Sequence, residues 1–189
     1  MARLRITSEN QIQRLNQIVT QVKSFQVLNP LQLTKVPNAK SWNVVEVIAH
    51  LNISYGFYLP KFDDALQKLP TLTSHPKEFK ARPWQKFVIE GQRPKNGVRK
   101  MKMKTLKRFT PLLIKAELTP EKIESIFDQF FELHEHLKQC IIASRTKDIS
   151  KIKISSAIGS IVNFYLPESF EFLLCHLERH MVQIDEILG

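Results

Sequence analysis

Four stretches of the chain repeat apolar side chains every three or four residues, and that periodicity limits the fold more than any other feature. Ile12, Leu15, Ile18, Val22 and Phe25 recur with glutamine, asparagine and lysine between them, which predicts a first helix over Ser8 to Phe25 with one apolar face. Asn43-Val44-Val45-Glu46 has the form of a capping box, in which Asn43 accepts from the backbone at Glu46 and the Glu46 carboxylate reaches back. A second helix is expected from there through Val47, Ile48, Leu51 and Tyr55 to about Leu69, kinked at Pro60 because its ring removes a backbone donor. Thr119-Pro120-Glu121 reads as the start of a third helix that carries Ile123, Phe127, Phe130, Leu133, Leu137 and Ile141 to about Ser144. Pro167 opens a fourth, with Phe170, Leu173, Leu174, Leu177, Ile184 and Ile187 on its apolar side. These lengths predict an all-α four-helix bundle. At 189 residues and 43% hydrophobic content the chain can bury one sizeable core, so a single domain over 1–189 is expected.

Between the second and third helices lie Pro70, Pro76, Pro83, Pro94 and Pro111 with no sustained helical period, which reads as a long, partly irregular crossover ending near Leu118. Connections beyond about 15 residues are unusual inside a compact domain and often flank a site. A crossover this long can carry the chain the length of the bundle, giving up-down-down-up; the periodicity equally allows up-down-up-down with an insertion.

The net charge is +10, yet eight basic residues and no acidic ones fall between Arg93 and Arg108, leaving the rest of the chain nearly neutral. The basic character is local. Nucleic bases are stacked on aromatic rings, and this stretch holds only Phe109, at its end, which argues against nucleic acid. A solvated loop is the plain reading, with an anionic substrate or acidic surface as the functional one. No run approaches the ~20 apolar residues of a spanning helix, and the N-terminus turns polar at Thr7-Ser8-Glu9-Asn10. The expectation is a cytoplasmic protein with no membrane partner, in which Cys140 and Cys175 are buried, reduced thiols.

His176-Leu177-Glu178-Arg179-His180 places two imidazoles four residues apart, on one helix face. They lie beside the stripe of Leu173, Leu177 and Ile184, and buried histidines need partners. His50, flanked by Val47 and Leu51, is the candidate third nitrogen. Three neutral imidazoles leave at least one position open on a divalent ion, the layout of catalytic sites, where a water or substrate thiolate can bind. Glu46 shares the face of His50 and is the candidate general base, although the cap already accounts for it. His75, His134 and His136 read as surface or packing residues. Cys175, rotated about 100° from His176, reads as core, and Gln183 as a neighbour of the site or a residue of its exposed edge.

The run Ser41-Trp42-Asn43-Val44-Val45-Glu46-Val47-Ile48-Ala49-His50-Leu51, followed by His176-Leu177-Glu178-Arg179-His180-Met181-Val182-Gln183, resembles the DinB/YfiT-like superfamily of metal-dependent enzymes. Met101 to Phe109 and the start of the last helix also resemble one subgroup. The resemblance implies an up-down-down-up bundle, nickel or zinc held by His50, His176 and His180, and frequent homodimers. It further implies activities such as bacillithiol- or mycothiol-type S-transfer, with a low-molecular-weight thiol as co-substrate, or hydrolysis.

Two functions follow. The first is a metal-dependent thiol S-transferase or hydrolase acting on a small molecule, with Lys102 and Lys104 of the basic crossover holding an anionic substrate or thiol. The second is a non-catalytic helical module that recognises an acidic partner through residues 93–108.

Overall fold

The computed structural model describes residues 3–73, 78–99, 104–114 and 117–189. Strand β1 (Arg5–Ile6) leads into α1 (Ser8–Gln26), followed by α2 (Pro30–Thr34), α3 (Val44–Gly56) and α4 (Leu59–Lys68). Strand β2 (Phe79–Lys80) and α5 (Pro83–Gln92) precede a 3-10 turn at Lys107–Phe109. Helix α6 (Pro120–Ser144), strands β3 (Ile154–Ser156) and β4 (Gly159–Phe164), and α7 (Leu166–Leu188) complete the order.

The helix starts follow from local chemistry. The Thr7 hydroxyl accepts from the Asn10 amide at α1, and Thr119 does the same for Lys122 at α6, where Pro120 occupies a first-turn position that needs no donor. Both arms of the Asn43–Glu46 box form at 2.8 Å. Leu15, Ile18, Val22 and Phe25 of α1 meet Phe127, Phe130 and Ile141 of α6 in one hydrophobic cluster, which also takes in Ile48 and Leu51 of α3 and Leu173, Leu177 and Ile184 of α7. Cross-helix bonds give the directions. Gln11 reaches the Pro167 carbonyl and Gln21 reaches Asp185, so α1 and α7 run the same way. Asn52 donates to the Ile126 carbonyl and Tyr55 bonds His136, so α3 follows α6. Glu9 pairs with Arg145, and Lys23 lies over Phe131, so α1 opposes α6 and α3 crosses α7 head to tail.

The expected all-α, up-down-down-up four-helix bundle with one long crossover is corrected in its helix count and its crossover: the molecule is not a simple four-helix bundle, although α1, α3, α6 and α7 run in the directions just given. Six helices of ten residues or more pack together: α3 on α6, α1 on both α6 and α7, and α5 along α7, with α4 against α6. The second expected helix is two. It ends at Gly56 and restarts at Leu59, which turns Pro60 from a mid-helix kink into a tolerated first-turn proline. The crossover contains α5, whose buried face is Gln85, Ile89 and Gln92 while Trp84 and Phe87 stand exposed. Amides inside and aromatics outside invert the usual pattern, so the period was hidden from sequence. Ile89 joins Phe164, Phe172 and Cys175 in a second, smaller cluster. The strands add two antiparallel pairs, Ile6 opposite Phe79 and Ile154 opposite Phe164.

One further turn shapes the site. Asn96 and Gly97 take left-handed backbone angles, φ 53° and 69°, between the mutually bonded Lys95 and Val98. This is the asparagine-glycine turn of a two-residue hairpin. Arg93, before the turn, pairs with Glu171, and Arg99, after it, pairs with Glu186 near the other end of α7. No helix among the described residues is long and apolar enough to cross a membrane.

Candidate metal centre

The rotation of α7 about its axis is fixed from behind. Glu171 receives Arg14 from α1 and Arg93 from beyond α5, each at 2.6 Å, and Glu178 accepts a second bond from Arg14 at 2.6 Å. Glu168, fully buried, takes Arg82 at 2.6 Å and the Tyr165 amide at 2.9 Å. Burial alone would raise the Glu171 carboxyl, but the Arg14 and Arg93 guanidiniums hold it below the usual range. With residues 168, 171 and 178 tied to α1 and α5, the opposite face of α7 turns His176 and His180 towards α3.

There the three histidines of the sequence meet. His50 Nε2 lies 3.4 Å from His176 Nε2, which lies 3.1 Å from His180 Nε2. One ligand atom from each ring falls within 4.8 Å of the others. Nitrogens bound tetrahedrally at the usual zinc–nitrogen length stand about 3.3 Å apart, so the spacing already suits one ion. The outward nitrogens explain the inward ones. His50 Nδ1 donates to the Phe109 carbonyl at 2.7 Å, and His180 Nδ1 donates to the Gln183 amide oxygen at 3.0 Å. A proton on Nδ1 of a neutral imidazole leaves Nε2 as a bare lone pair. Burial, the largest cause for each ring, keeps all three neutral: His50 is lowered, His176 is pushed down to about 3, and His180 falls well below its ordinary value. With a bare Nε2 on His50 and on His180, the space between them is filled either by a proton on His176 Nε2 or by a cation. The residues therefore fit a divalent ion of the zinc or nickel type, with Phe109 and Gln183 orienting two of its ligands as second partners commonly do.

A cavity of about 680 Å³ opens over this cluster, with Trp42, Tyr58, Phe172, Arg179, Arg99 and Lys104 among its walls. The Trp42 ring lies 5.0 Å from that of His50 and Ser54 Oγ lies 3.5 Å from His50 Nε2. Lys104 is exposed on the wall; Lys102 lies outside the described residues, as does His75. Glu46 is not among the lining residues, and its carboxylate is occupied by the Asn43 amide. Of the basic segment, Arg93 turns inward to Glu171, Arg99 pairs with the half-exposed Glu186, and Arg108 bonds the Ala157 carbonyl.

Sequence did not point to the Phe109 carbonyl, because the 3-10 turn that presents it lies in the crossover. It also gave no role to Arg179, although three residues after His176 is a same-face position. His134 is buried against Phe130, away from the cavity, and Cys175 sits among Arg14 and Glu171 with its thiol pushed up to about 12, chiefly by burial. A second group, Asp63, His136 and Cys140, gathers between α4 and α6, where His136 bonds Asp63 at 2.8 Å and Tyr55 at 2.7 Å.

A family model described as the DinB superfamily matches residues 11–184 of the chain. No curated protein and no solved structure gives a significant match.

Proposed function

The chain belongs to the DinB superfamily, and on that premise we propose that it is a metal-dependent enzyme, a thiol S-transferase or hydrolase. In this reading His50, His176 and His180 hold one divalent ion, nickel or zinc. The observation that carries it is the convergence of three imidazole Nε2 atoms, with the outer nitrogens of His50 and His180 tied back by Phe109 and Gln183. When bound, the ion supplies a Lewis acid that lowers the pKa of a water or thiol placed on it.

The chain's own residues do the rest. Trp42, Tyr58 and Phe172 give the space beside the histidines an aromatic wall. Lys104 on the wall, with Lys102 from the same segment, draws an anionic substrate or a low-molecular-weight thiol to the cavity. Glu46 keeps α3 anchored at its start, which sets the level of His50 one turn later. The acidic-partner reading is weakened by the pairing of Arg93 with Glu171 and of Arg99 with Glu186, which sets a carboxylate against two of the segment's charges.

Elemental mass spectrometry of untagged protein tests the assignment. About one equivalent of nickel, zinc or a similar ion is expected, lost in His50→Ala and in His176→Ala/His180→Ala. Absence of metal after reconstitution, with variants that fold normally, would reduce the histidines to core packing.

A further inference from the structure

Arg179 lines the same cavity at 6% exposure. Every other well-covered arginine has its carboxylate: Arg14 holds Glu171 and Glu178, Arg82 holds Glu168, Arg93 holds Glu171. Arg179 makes no hydrogen bond and no ion pair among the described residues, and it does feel Glu186, a carboxylate that Arg99 already occupies. Burial lowers its pKa, and Arg99 adds to the shift; a guanidinium nonetheless keeps its proton at any ordinary pH. A covered guanidinium with no carboxylate of its own among the described residues, opening on the cavity, is placed to take a counter-charge from a ligand there.

Resting on the metal-centre reading above, we propose that Arg179 is an oxyanion subsite beside the three histidines, taking a carboxylate or phosphate group of the substrate. Its place supports this. Arg179 follows His176 by three residues, a neighbouring position on the surface of α7, and lines the same cavity as His176 and His180. Lys40, Arg99 and Lys104 also line the cavity, and Glu186 is the one acidic residue among the described lining. A divalent ion on three neutral ligands adds positive charge without cancelling any. The cavity therefore selects anions, and the guanidinium fork matches the paired oxygens of a carboxylate or phosphate. Its volume, about 680 Å³, suits a small molecule. The substrate class is a small acid or phosphate ester whose oxyanion lies next to the group presented to the histidines.

Calorimetric titration of inorganic phosphate, and separately of acetate, into metal-free protein tests the subsite apart from the metal. Saturable binding of one of the two is expected, and which one tells phosphate from carboxylate recognition. Arg179→Gln should weaken it by about ten-fold or more, and Arg179→Lys should weaken it less, with circular dichroism and zinc stoichiometry unchanged in both. Binding unaltered in either folded variant, or no binding of either anion by the wild type, would overturn the proposal. If instead zinc fails to bind while the arginine-dependent anion binding persists, the metal reading falls and the subsite stands.

Discussion

His134 shows what a buried imidazole does when it has no cavity to face. Its Nδ1 donates to the Phe130 carbonyl at 2.6 Å, its ring stacks on Phe130 at 3.8 Å between centroids, and burial pushes its pKa down to about 4. The folded value lies below the unfolded one, so between pH 6.5 and about 4 the unfolded chain holds the extra proton and stability falls with falling pH. Above that window the contribution is complete. The shift corresponds to something on the order of 3 kcal/mol. Urea unfolding at pH 7 and pH 4.5 should show a smaller acid loss in His134→Gln than in the wild type; equal losses would mean that His134 titrates normally in the fold. Among residues, the cavity histidines were legible because a four-residue spacing puts two rings on one face whatever the tertiary structure. His136 and Cys140 share that spacing, but their partner Asp63 is brought by α4, a helix whose separation from α3 sequence did not show. Arg179 was illegible for a different reason: its face could be read from sequence, whereas its lack of a carboxylate is a property of everything packed around it.

Helix ends were the most legible elements, since caps are local chemistry. Asn43 and Glu46 satisfy each other's neighbouring amides, and the cap should be worth about 1 kcal/mol. Glu46→Gln keeps an oxygen for the Asn43 amide and removes only the charge. Thermal denaturation should therefore leave Glu46→Gln close to the wild type and lower Glu46→Ala. If both fall equally, the negative charge near the helix start matters more than the bond. The same pair separates cap from catalysis once a substrate is known, because a general base loses its function in Glu46→Gln while a cap does not. Elements failed to be legible where burial departs from polarity. Helix α5 hides behind Gln85 and Gln92, and the β3–β4 pair is a short, irregular hairpin that packs against α4, α5 and α7. The Asn96-Gly97 turn had a signature in its dipeptide.

Over the whole molecule, α7 is gripped from two sides by different means, and the two can be released separately. Behind it, Glu171 is 3% exposed and shares with Glu178 the task of balancing Arg14 and Arg93. Glu171→Ala leaves two covered guanidiniums short of a partner, and a loss of about 3 kcal/mol in urea unfolding is expected. A loss below about 0.5 kcal/mol would place the network among surface pairs that contribute little. In front, the candidate ligands come from α3 and α7, so an ion bound by all three can exist only on the folded chain. Such an ion adds about 4 kcal/mol of stability at a thousandfold excess over its dissociation constant. Treating metal-loaded protein with a chelator should then lower Tm by about 10 °C while the far-ultraviolet circular dichroism at 25 °C stays unchanged, because the Glu168 and Glu171 ties persist. His50→Ala should start at the lower Tm and show no response to the chelator. A chelator response that survives His50→Ala would mean that the stabilising ion is held by another group, and Asp63, His136 and Cys140 would be the place to look.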